Sequence, residues 1–325
     1  MMQIRTSRDD LPEEMTEYSL RDLFAPPPEL AEPADFDAFW AETFEQFGTG
    51  PVAWSNVEAL EPTDTHRLQR IRFDSSCGEP VVAWLAIPLG VTTRGLVVSH
   101  GYGGRTEPDL ERLTPETAAI FPCAPGQEAN PPGLFPALPS QHVLAGIQSR
   151  QTYSHRFSAA DIWRAATVLL DAAPAAARAL DYIGGSFGGG IGALALPWDR
   201  RFRRASLDVP SFGHFPIRLS RKCTGSGEAV RQHLRRHPEV RPVLDYFDSA
   251  IAARRISIPV LVGAAVVDPS VHPGGQFAVY HALGGPKRLH VRACGHLDGP
   301  VEEESERLIR QATHDFFALD GARLR

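Results

Sequence analysis

The stretch GGSFGGG, residues 184–190, follows an apolar run at 180–183 and precedes an Ala/Leu-rich run at 191–196. The two runs predict a buried strand and a helix, joined by a tight turn with Ser186 at its tip. Glycines two residues before and two residues after the serine let strand and helix approach where a Cβ would clash. This Gly-x-Ser-x-Gly pattern is typical of a nucleophilic serine on a strained turn.

Two other kinds of glycine-rich site compete with this interpretation. A phosphate-binding P-loop ends in Gly-Lys-Ser/Thr, and no lysine lies near residues 184–190. A dinucleotide-binding turn expects an acidic residue about twenty positions later, and Asp208 lies near that distance. Such a turn normally belongs to the first strand–helix unit, whereas here most of a predicted sheet precedes the glycines. Residues elsewhere in the chain must decide between the serine turn and these two alternatives.

Length and composition predict a globular protein and exclude several partners. The chain has 325 residues, of which 43% are hydrophobic and 22% charged, enough for a full core. A formal net charge of -6 gives no electrostatic reason to bind nucleic acid or an anionic membrane. The first residues lack the apolar core of a signal peptide and no segment is long enough to span a bilayer, so we expect a cytoplasmic protein. The four cysteines show no metal-binding spacing and are expected to be buried thiols: Cys77, Cys123, Cys223 and Cys294.

The order of elements predicts an α/β fold. Residues 1–34 are polar and proline-rich, which predicts an N-terminal arm, either extended over the protein or disordered; residues 35–320 predict one domain. Three strand-like runs between residues 52 and 87 predict an antiparallel start to the sheet. From residue 96 onward strands and helices alternate, which predicts a mostly parallel central sheet with helices on both faces. The proline- and glycine-rich segment 122–151 is long enough to shape a site.

Two polar residues follow predicted strands late in the chain. Asp268 follows the buried run 259–267, and His296 follows the run 288–294. Carboxyl ends of parallel strands meet at one edge of a sheet, so both residues are expected near Ser186. The chain order Ser186, Asp268, His296 is that of the catalytic triad in α/β-hydrolases, and it favours the serine interpretation over the dinucleotide one.

Three other residues are rivals for the acid and histidine roles. His272 lies only four residues after Asp268, and His290 lies in the middle of a predicted strand, where a structural role is expected. Asp298 follows His296 too closely to orient it from across a pocket. Placement at strand ends favours Asp268 and His296.

A second glycine-rich loop predicts the oxyanion hole. Residues 100–104, His-Gly-Tyr-Gly-Gly, follow the apolar run 96–99. We expect the backbone N–H groups of Tyr102 and Phe187 to bind the oxyanion while Ser186 attacks an ester carbonyl. His296 acts as the base and Asp268 orients its imidazole. This chemistry requires neither a metal nor an organic cofactor.

Several ordered blocks over about residues 35–317 resemble the acetyl xylan esterase/cephalosporin-C deacetylase family of α/β-hydrolases. The blocks are Asp35-Phe36-Asp37 with Phe39-Trp40, His100-Gly101-Tyr102, Gly126-Gln127, Gly146-Ile147, Thr152-Tyr153 with Arg156, Asp161 and Arg164-Ala165, Gly184-Gly185-Ser186 with Gly188-Gly189-Gly190, Tyr246-Phe247-Asp248, Ile258-Pro259-Val260-Leu261, Asp268, Pro273, Phe277-Ala278, Tyr280 and Gly295-His296.

The resemblance implies a cytoplasmic serine esterase without a cofactor. Its substrates would be small acetylated sugars, notably xylooligosaccharides, and cephalosporin C. It also implies a homo-oligomer, a ring-like hexamer with active sites facing an inner chamber. By resemblance, the catalytic roles fall on Ser186, Asp268 and His296, and the amide donors are Tyr102 and Phe187.

The chain departs from the family pattern around the expected pocket. Phe187 replaces the usual glutamine, which keeps the backbone donor but makes that wall apolar. Pro125 replaces an arginine, Ser149 and Gln151 replace acidic residues, and Gly274-Gly275 replace Ser/Thr. These changes bear on the substrate more than on the chemistry. A hydrolase of another acyl class, such as a general short-chain carboxylesterase, a thioesterase or a peptidase, and a non-catalytic ligand-binding protein stay open as alternatives.

Overall fold

A computed structural model describes residues 18–130 and 133–319, in which nine strands form one sheet. The strands are β1 (Trp54–Leu60), β2 (His66–Asp74), β3 (Pro80–Pro88), β4 (Arg94–Val98), β5 (Thr117–Pro122), β6 (Leu180–Gly185), β7 (Phe202–Asp208), β8 (Val260–Ala265) and β9 (Lys287–Arg292). Their order across the sheet is β1-β2-β3-β5-β4-β6-β7-β8-β9.

The direction of the strands changes at β5. The pairs β1–β2, β2–β3 and β3–β5 are antiparallel, and every pair from β5–β4 to β8–β9 is parallel. The antiparallel start and the mostly parallel remainder were both predicted from the sequence, and both are confirmed. The central strand β4 pairs with β5 on one side and β6 on the other. The loops after β4 and β6 therefore emerge side by side at the carboxyl edge.

Helices cover both faces of the sheet. The helices within the described residues are α1 (Leu20–Phe24), α2 (Phe36–Phe47), α3 (Pro139–His142), α4 (Ser154–Ala172), α5 (Phe187–Ala195), α6 (Phe215–Ser220), α7 (Gly227–Arg236), α8 (Arg241–Asp245), α9 (Ser249–Ala253), α10 (Pro273–Ala282) and α11 (Pro300–Ala318). None of the helices in this part of the chain is long and apolar enough to cross a membrane.

The alternation of side chains along β4 creates two cores. Val97 packs in one core with side chains of α2, α4 and α5, whereas Leu96 and Val98 pack in a second core with side chains of α11. Successive residues of a strand point to opposite faces, so each face buries its own apolar set. The predicted α/β class with helices on both faces is confirmed.

The part of the N-terminal arm that the structure describes lies against the domain. In α1 the side chain of Leu23 is buried, and the imidazole of His281 contacts the Leu23 carbonyl at 3.0 Å. Farther along, Arg254 donates to the carbonyl of Leu30 and forms an ion pair with Glu32. The remainder of the predicted arm, residues 1–17, lies outside the described residues.

Candidate active site

Ser186 occupies the turn between β6 and α5 in a strained conformation. Its backbone has φ 52° and ψ -113°, outside the regions that side chains with a Cβ normally adopt. A Cβ on Gly184 would lie 2.5 Å from the carbonyl oxygen of Gly188, and a Cβ on Gly188 would lie 2.8 Å from that of His100. Both glycines of the Gly-x-Ser-x-Gly pattern are therefore required by close backbone contacts, as expected from the sequence.

Three side chains form a hydrogen-bonded chain at this edge of the sheet. The Oγ of Ser186 lies 2.9 Å from Nε2 of His296, and Nδ1 of His296 lies 2.8 Å from Oδ2 of Asp268. The structure thus brings together the three residues that the sequence predicted, although Ser186 and His296 are 110 positions apart.

The carboxylate of Asp268 is buried and held on both oxygens. Oδ1 accepts the backbone N–H groups of Ser270 and Val271 at 2.9 and 2.8 Å. Oδ2 accepts the side-chain amide of Gln276 at 2.8 Å, in addition to the imidazole of His296. With this many donors the carboxylate has one orientation, so it fixes the direction of the imidazole ring.

Gln276 contacts the Asp268 carboxylate, and no sequence pattern indicated this residue. Its amide nitrogen bridges Asp268 and the carbonyl of Val271, and its Oε1 accepts the backbone N–H of Ala265 at the end of β8. A glutamine in the first turns of α10 carries no signal in linear spacing. Its role becomes visible only when α10 is packed against β8.

The imidazole of His296 lies among several carboxylates. Burial lowers its pKa, but the hydrogen bond and charge of Asp268, followed by the charges of Glu302 and Asp208, outweigh burial and raise it above its ordinary value. A raised pKa makes His296 a stronger base. It also favours the imidazolium form of the ring.

The loop after β4 lies against the serine turn. The backbone N–H of Gly188 donates to the carbonyl of His100 at 3.0 Å, and that of Gly103 donates to Oε1 of Gln127 at 3.1 Å. Phe187 is the first residue of α5, so its N–H has no intrahelical acceptor. Within the described residues, neither this N–H nor that of Tyr102 donates to a backbone carbonyl. Both N–H groups can therefore donate to another acceptor.

His100 is a structural histidine of this loop. Its Nε2 accepts the backbone N–H of Ala124 at 2.9 Å, so its Nδ1 carries the proton and donates to the carbonyl of Gly101 at 2.6 Å. Burial lowers the pKa of His100 to about 3, which keeps the ring neutral. The neutral ring ties the loop to the segment after β5.

The ring of Phe187 is buried, whereas the sequence analysis placed it on the pocket wall. Its side chain is 1% exposed, and its centroid lies 4.4 Å from that of Tyr102. The hydroxyl of Tyr102 lies 3.3 Å from Nδ1 of His142 and from Nε2 of His155. The ring of Phe187 therefore packs against the loop after β4, because helix α5 directs this side chain inward against α4.

The rival residues lie in other environments. Nε2 of His272 contacts the carbonyl of Arg221 at 3.4 Å, and His290 lies within β9, with burial lowering the pKa of both rings. Asp208, the acid that a dinucleotide site would need, is paired with the guanidinium of Arg292 at 2.5 Å. Within the described residues no group of three His, Cys, Asp or Glu side chains could hold a metal ion, and all four cysteines are free.

A family profile and a solved structure that match this chain both belong to acetyl xylan esterases. The profile of the acetyl xylan esterase family (AXE1) matches residues 14–310. An acetyl xylan esterase from Paenibacillus sp. R4 is similar in structure, with a TM-score of 0.80 and 25% sequence identity over 91% of this chain and 99% of that chain.

Two further structures are similar at the level of the fold. Acetyl xylan esterase 1 from Thermoanaerobacterium sp. JW/SL YS485 has a TM-score of 0.75 and 17% identity, over 90% of this chain and 98% of that chain. An acylaminoacyl peptidase from Pyrococcus horikoshii has a TM-score of 0.60 and 14% identity, over 78% of this chain and 42% of that chain. The shared architecture is the α/β-hydrolase fold, as the sequence predicted.

Proposed function

This chain belongs to the acetyl xylan esterase (AXE1) family of serine esterases, and from that premise we propose that Ser186, His296 and Asp268 are its catalytic triad. The observation that carries the proposal is the hydrogen-bonded chain from Ser186 Oγ through the His296 imidazole to the Asp268 carboxylate, with contacts of 2.9 and 2.8 Å. Distances of this length are those over which a nucleophile passes its proton to a base.

The first half of the reaction forms an acyl-enzyme. Ser186 Oγ attacks the carbonyl carbon of the ester, and Nε2 of His296 takes the hydroxyl proton. The negative charge that develops on the carbonyl oxygen is bound by the N–H groups of Tyr102 and Phe187. The C–O bond to the alcohol then breaks, and the imidazolium of His296 gives its proton to the leaving alkoxide.

The second half releases the acid. His296 removes a proton from a water molecule, whose oxygen attacks the acyl carbon. The same two N–H groups bind the second oxyanion, and the imidazolium returns its proton to Ser186 as the acid leaves. Asp268 stays ionised throughout, holding the imidazole in one tautomer.

The substrate proposed is a small acetylated carbohydrate of the xylooligosaccharide type, and also cephalosporin C. Family membership supports acetyl as the acyl group.

Rates on an acyl-chain series test both the chemistry and the substrate class. We expect kcat/KM on 4-nitrophenyl esters to fall steeply from acetate to butyrate to octanoate, and acetylated xylooligosaccharides to be deacetylated. Ser186→Ala should lower kcat by at least about 10⁴-fold while the protein stays folded. A fluorophosphonate probe should label wild-type protein and leave Ser186→Ala unlabelled.

Each alternative gives a different result. Equal or rising rates with chain length would indicate a thioesterase or general carboxylesterase pocket, and cleavage of acylated peptides would indicate a peptidase. Folded protein that neither labels nor turns over any ester would indicate a ligand-binding protein. Near-wild-type activity in Ser186→Ala would refute the nucleophile.

Three further proposals concern the whole protein. The resemblance supports a homo-hexamer and a cytoplasmic location. The composition and order of elements support a single catalytic domain over residues 35–320 that follows an arm of residues 1–34. Light scattering should give the mass of six chains, and a monomer would contradict it. Cell fractionation tests the cytoplasmic location. Limited proteolysis tests the boundary between residues 34 and 35.

A further inference from the structure

The backbone of His296 has a conformation that requires support. The residue lies four positions beyond the end of β9, with φ 54° in the left-handed region. A residue with a Cβ adopts this region only when its surroundings enforce it. The preceding N–H, that of Gly295, donates to the carbonyl of Val267, and the N–H of His296 itself donates to a side chain, Oε1 of Glu302, at 3.2 Å.

Glu302 is in turn held by a buried arginine. It lies in the first turn of α11, and its Oε1 also accepts Nη2 of Arg292 at 2.8 Å. The side chain of Arg292 is 1% exposed. Its Nη1 donates to Oδ2 of Asp208 at 2.5 Å, and the carbonyl of Asp208 accepts the N–H of Ser186 at 2.8 Å. The guanidinium of Arg292 therefore connects Asp208, which accepts the N–H of Ser186, with Glu302, which accepts the N–H of His296.

At neutral pH the carboxylates of this cluster outnumber its guanidinium, although burial raises the pKa of Asp208 to about 6 against the attraction of Arg292 and Arg112. Arg292 carries one positive charge and contacts three carboxyl groups, those of Asp208, Glu302 and Glu306. Within the described residues, Oδ1 of Asp208 is buried without a hydrogen-bond partner, and the one group beside Arg292 and the His296 N–H that contacts the Glu302 carboxylate is the weak thiol donor of Cys294. Buried, incompletely paired negative charge is costly, and it is retained here next to a group that becomes positive during catalysis.

We propose that Glu302, anchored by Arg292, is a positioning residue for His296: its carboxylate holds the backbone of the base and its charge favours the imidazolium. The proposal rests on the catalytic role of His296 proposed above. Four charged groups face or border the imidazole: Asp268 from the loop after β8, Asp208 from β7, Glu302 from α11, and Arg292 from β9 behind them. Glu302 is the one whose side chain accepts the His296 N–H.

Glu306 offers a matched control on the same helix. Its Oε1 accepts the same nitrogen, Arg292 Nη2, at 3.2 Å, one turn beyond Glu302. Replacing either glutamate removes one negative charge from the same guanidinium. The contact with the His296 N–H is made by Glu302 and not by Glu306, and Glu306 is also the more exposed of the two, so the Glu306 variants control for the loss of a carboxylate beside Arg292.

The experiment compares Glu302→Gln, Glu302→Ala, Glu306→Gln and Glu306→Ala by kcat, KM and the pH profile of kcat/KM on 4-nitrophenyl acetate. Glu302→Ala should lose about 10- to 100-fold in kcat with little change in KM, because the base is displaced but no substrate contact is removed. Glu302→Gln keeps an oxygen that can accept the N–H, so its loss in kcat should be smaller. Its acid limb should shift to lower pH by on the order of half a unit, because a charge that raises the pKa of His296 is gone.

The Glu306 variants should show neither the loss in kcat nor the shift of the acid limb. The inference is overturned if Glu302 and Glu306 variants lose activity equally, or if the acid limb of Glu302→Gln coincides with that of wild type. Thermal melting and circular dichroism at the assay temperature exclude a folding defect, and the Gln variant provides the pH readout even if the Ala variant is unstable. His296→Ala separates the two proposals. High activity of His296→Ala would refute the catalytic role of His296. An inactive His296→Ala, together with Glu302 variants whose kcat and pH profile equal those of wild type, would refute the positioning role alone.

Discussion

Gly188 donates its backbone N–H to the carbonyl oxygen of His100 at 3.0 Å, which joins the first turn of α5 to the loop after β4. The two proposed oxyanion donors, Phe187 and Tyr102, lie on either side of this hydrogen bond. The separation of the two amides is therefore set by backbone contact, and it depends on the absence of a side chain at position 188.

Gly188→Ala should disrupt this unit, and Gly185→Ala serves as its control. A Cβ at position 188 would lie 2.8 Å from the His100 carbonyl oxygen and 2.9 Å from the Cβ of Ser99, so the loop must shift. Loss of one oxyanion donor typically costs about 10²–10³ in kcat, and we expect a loss of that order. A Cβ at Gly185 meets nothing within 4 Å, so that variant should fold with wild-type stability. Equal effects of the two variants on kcat and melting temperature would contradict this prediction.

Tyr102→Phe should affect stability more than catalysis. The variant keeps the backbone N–H but removes the hydroxyl that lies 3.3 Å from His142 and from His155. Burial lowers the pKa of both histidine rings, so the hydroxyl contacts two neutral imidazoles. In the variant their nitrogens lose this partner, which costs about 1–3 kcal/mol. We expect a lower melting temperature with kcat reduced by less than about tenfold, well below the loss typical of an oxyanion donor. A kcat loss of about 10³-fold at unchanged stability would instead show that the hydroxyl takes part in the reaction.

Asp181 should destabilise the protein at neutral pH. Burial raises its pKa to about 6, because desolvation exceeds the attraction of Arg94 at 3.3 Å. A folded-state pKa above the unfolded value means that the folded protein holds this proton more tightly. The protonated carboxyl of Asp181 therefore contributes its full stabilisation below about pH 4. This contribution to the free energy of unfolding is lost as pH rises through about 6.

Asp181→Asn tests this sign. Relative to wild type, the melting temperature of the variant should rise between pH 4 and pH 8, corresponding to at most about 3 kcal/mol. Asp64→Asn, the same substitution at an exposed position, serves as the surface control. A pH-independent difference for Asp181→Asn would refute the prediction.

The contact between the arm and the domain can be tested within one short helix. Leu23 of α1 is 2% exposed and Leu20 is 53% exposed. Leu23→Ala should reduce the free energy of unfolding by about 2–3 kcal/mol, whereas Leu20→Ala should change it by less than about 0.5 kcal/mol. Chemical denaturation measures both, and two equal values would mean that the arm does not contribute to the core.

Tertiary structure decided where several side chains point. Phe187 was expected on the pocket wall, yet its ring lies under Tyr102, because the register of α5 against α4 sets its direction. The support of Asp268 by Gln276 and the Arg292 cluster under His296 gave no pattern in the sequence. Such contacts join residues on different elements, and they depend on strand order and helix packing.

What the sequence determined by itself was the local backbone and the order of elements. The glycine spacing around Ser186 follows from steric clashes within a few residues, so the turn was predictable. The periodicity of strands and helices is also local, so the α/β class and the strand-end positions of Asp268 and His296 were predictable too. The distances that make a proton transfer feasible were not, because Ser186 and His296 meet only after β7 and β8 have filled the sheet between β6 and β9. Sequence therefore determined which residues could form the site, and the packed sheet decided how they are held.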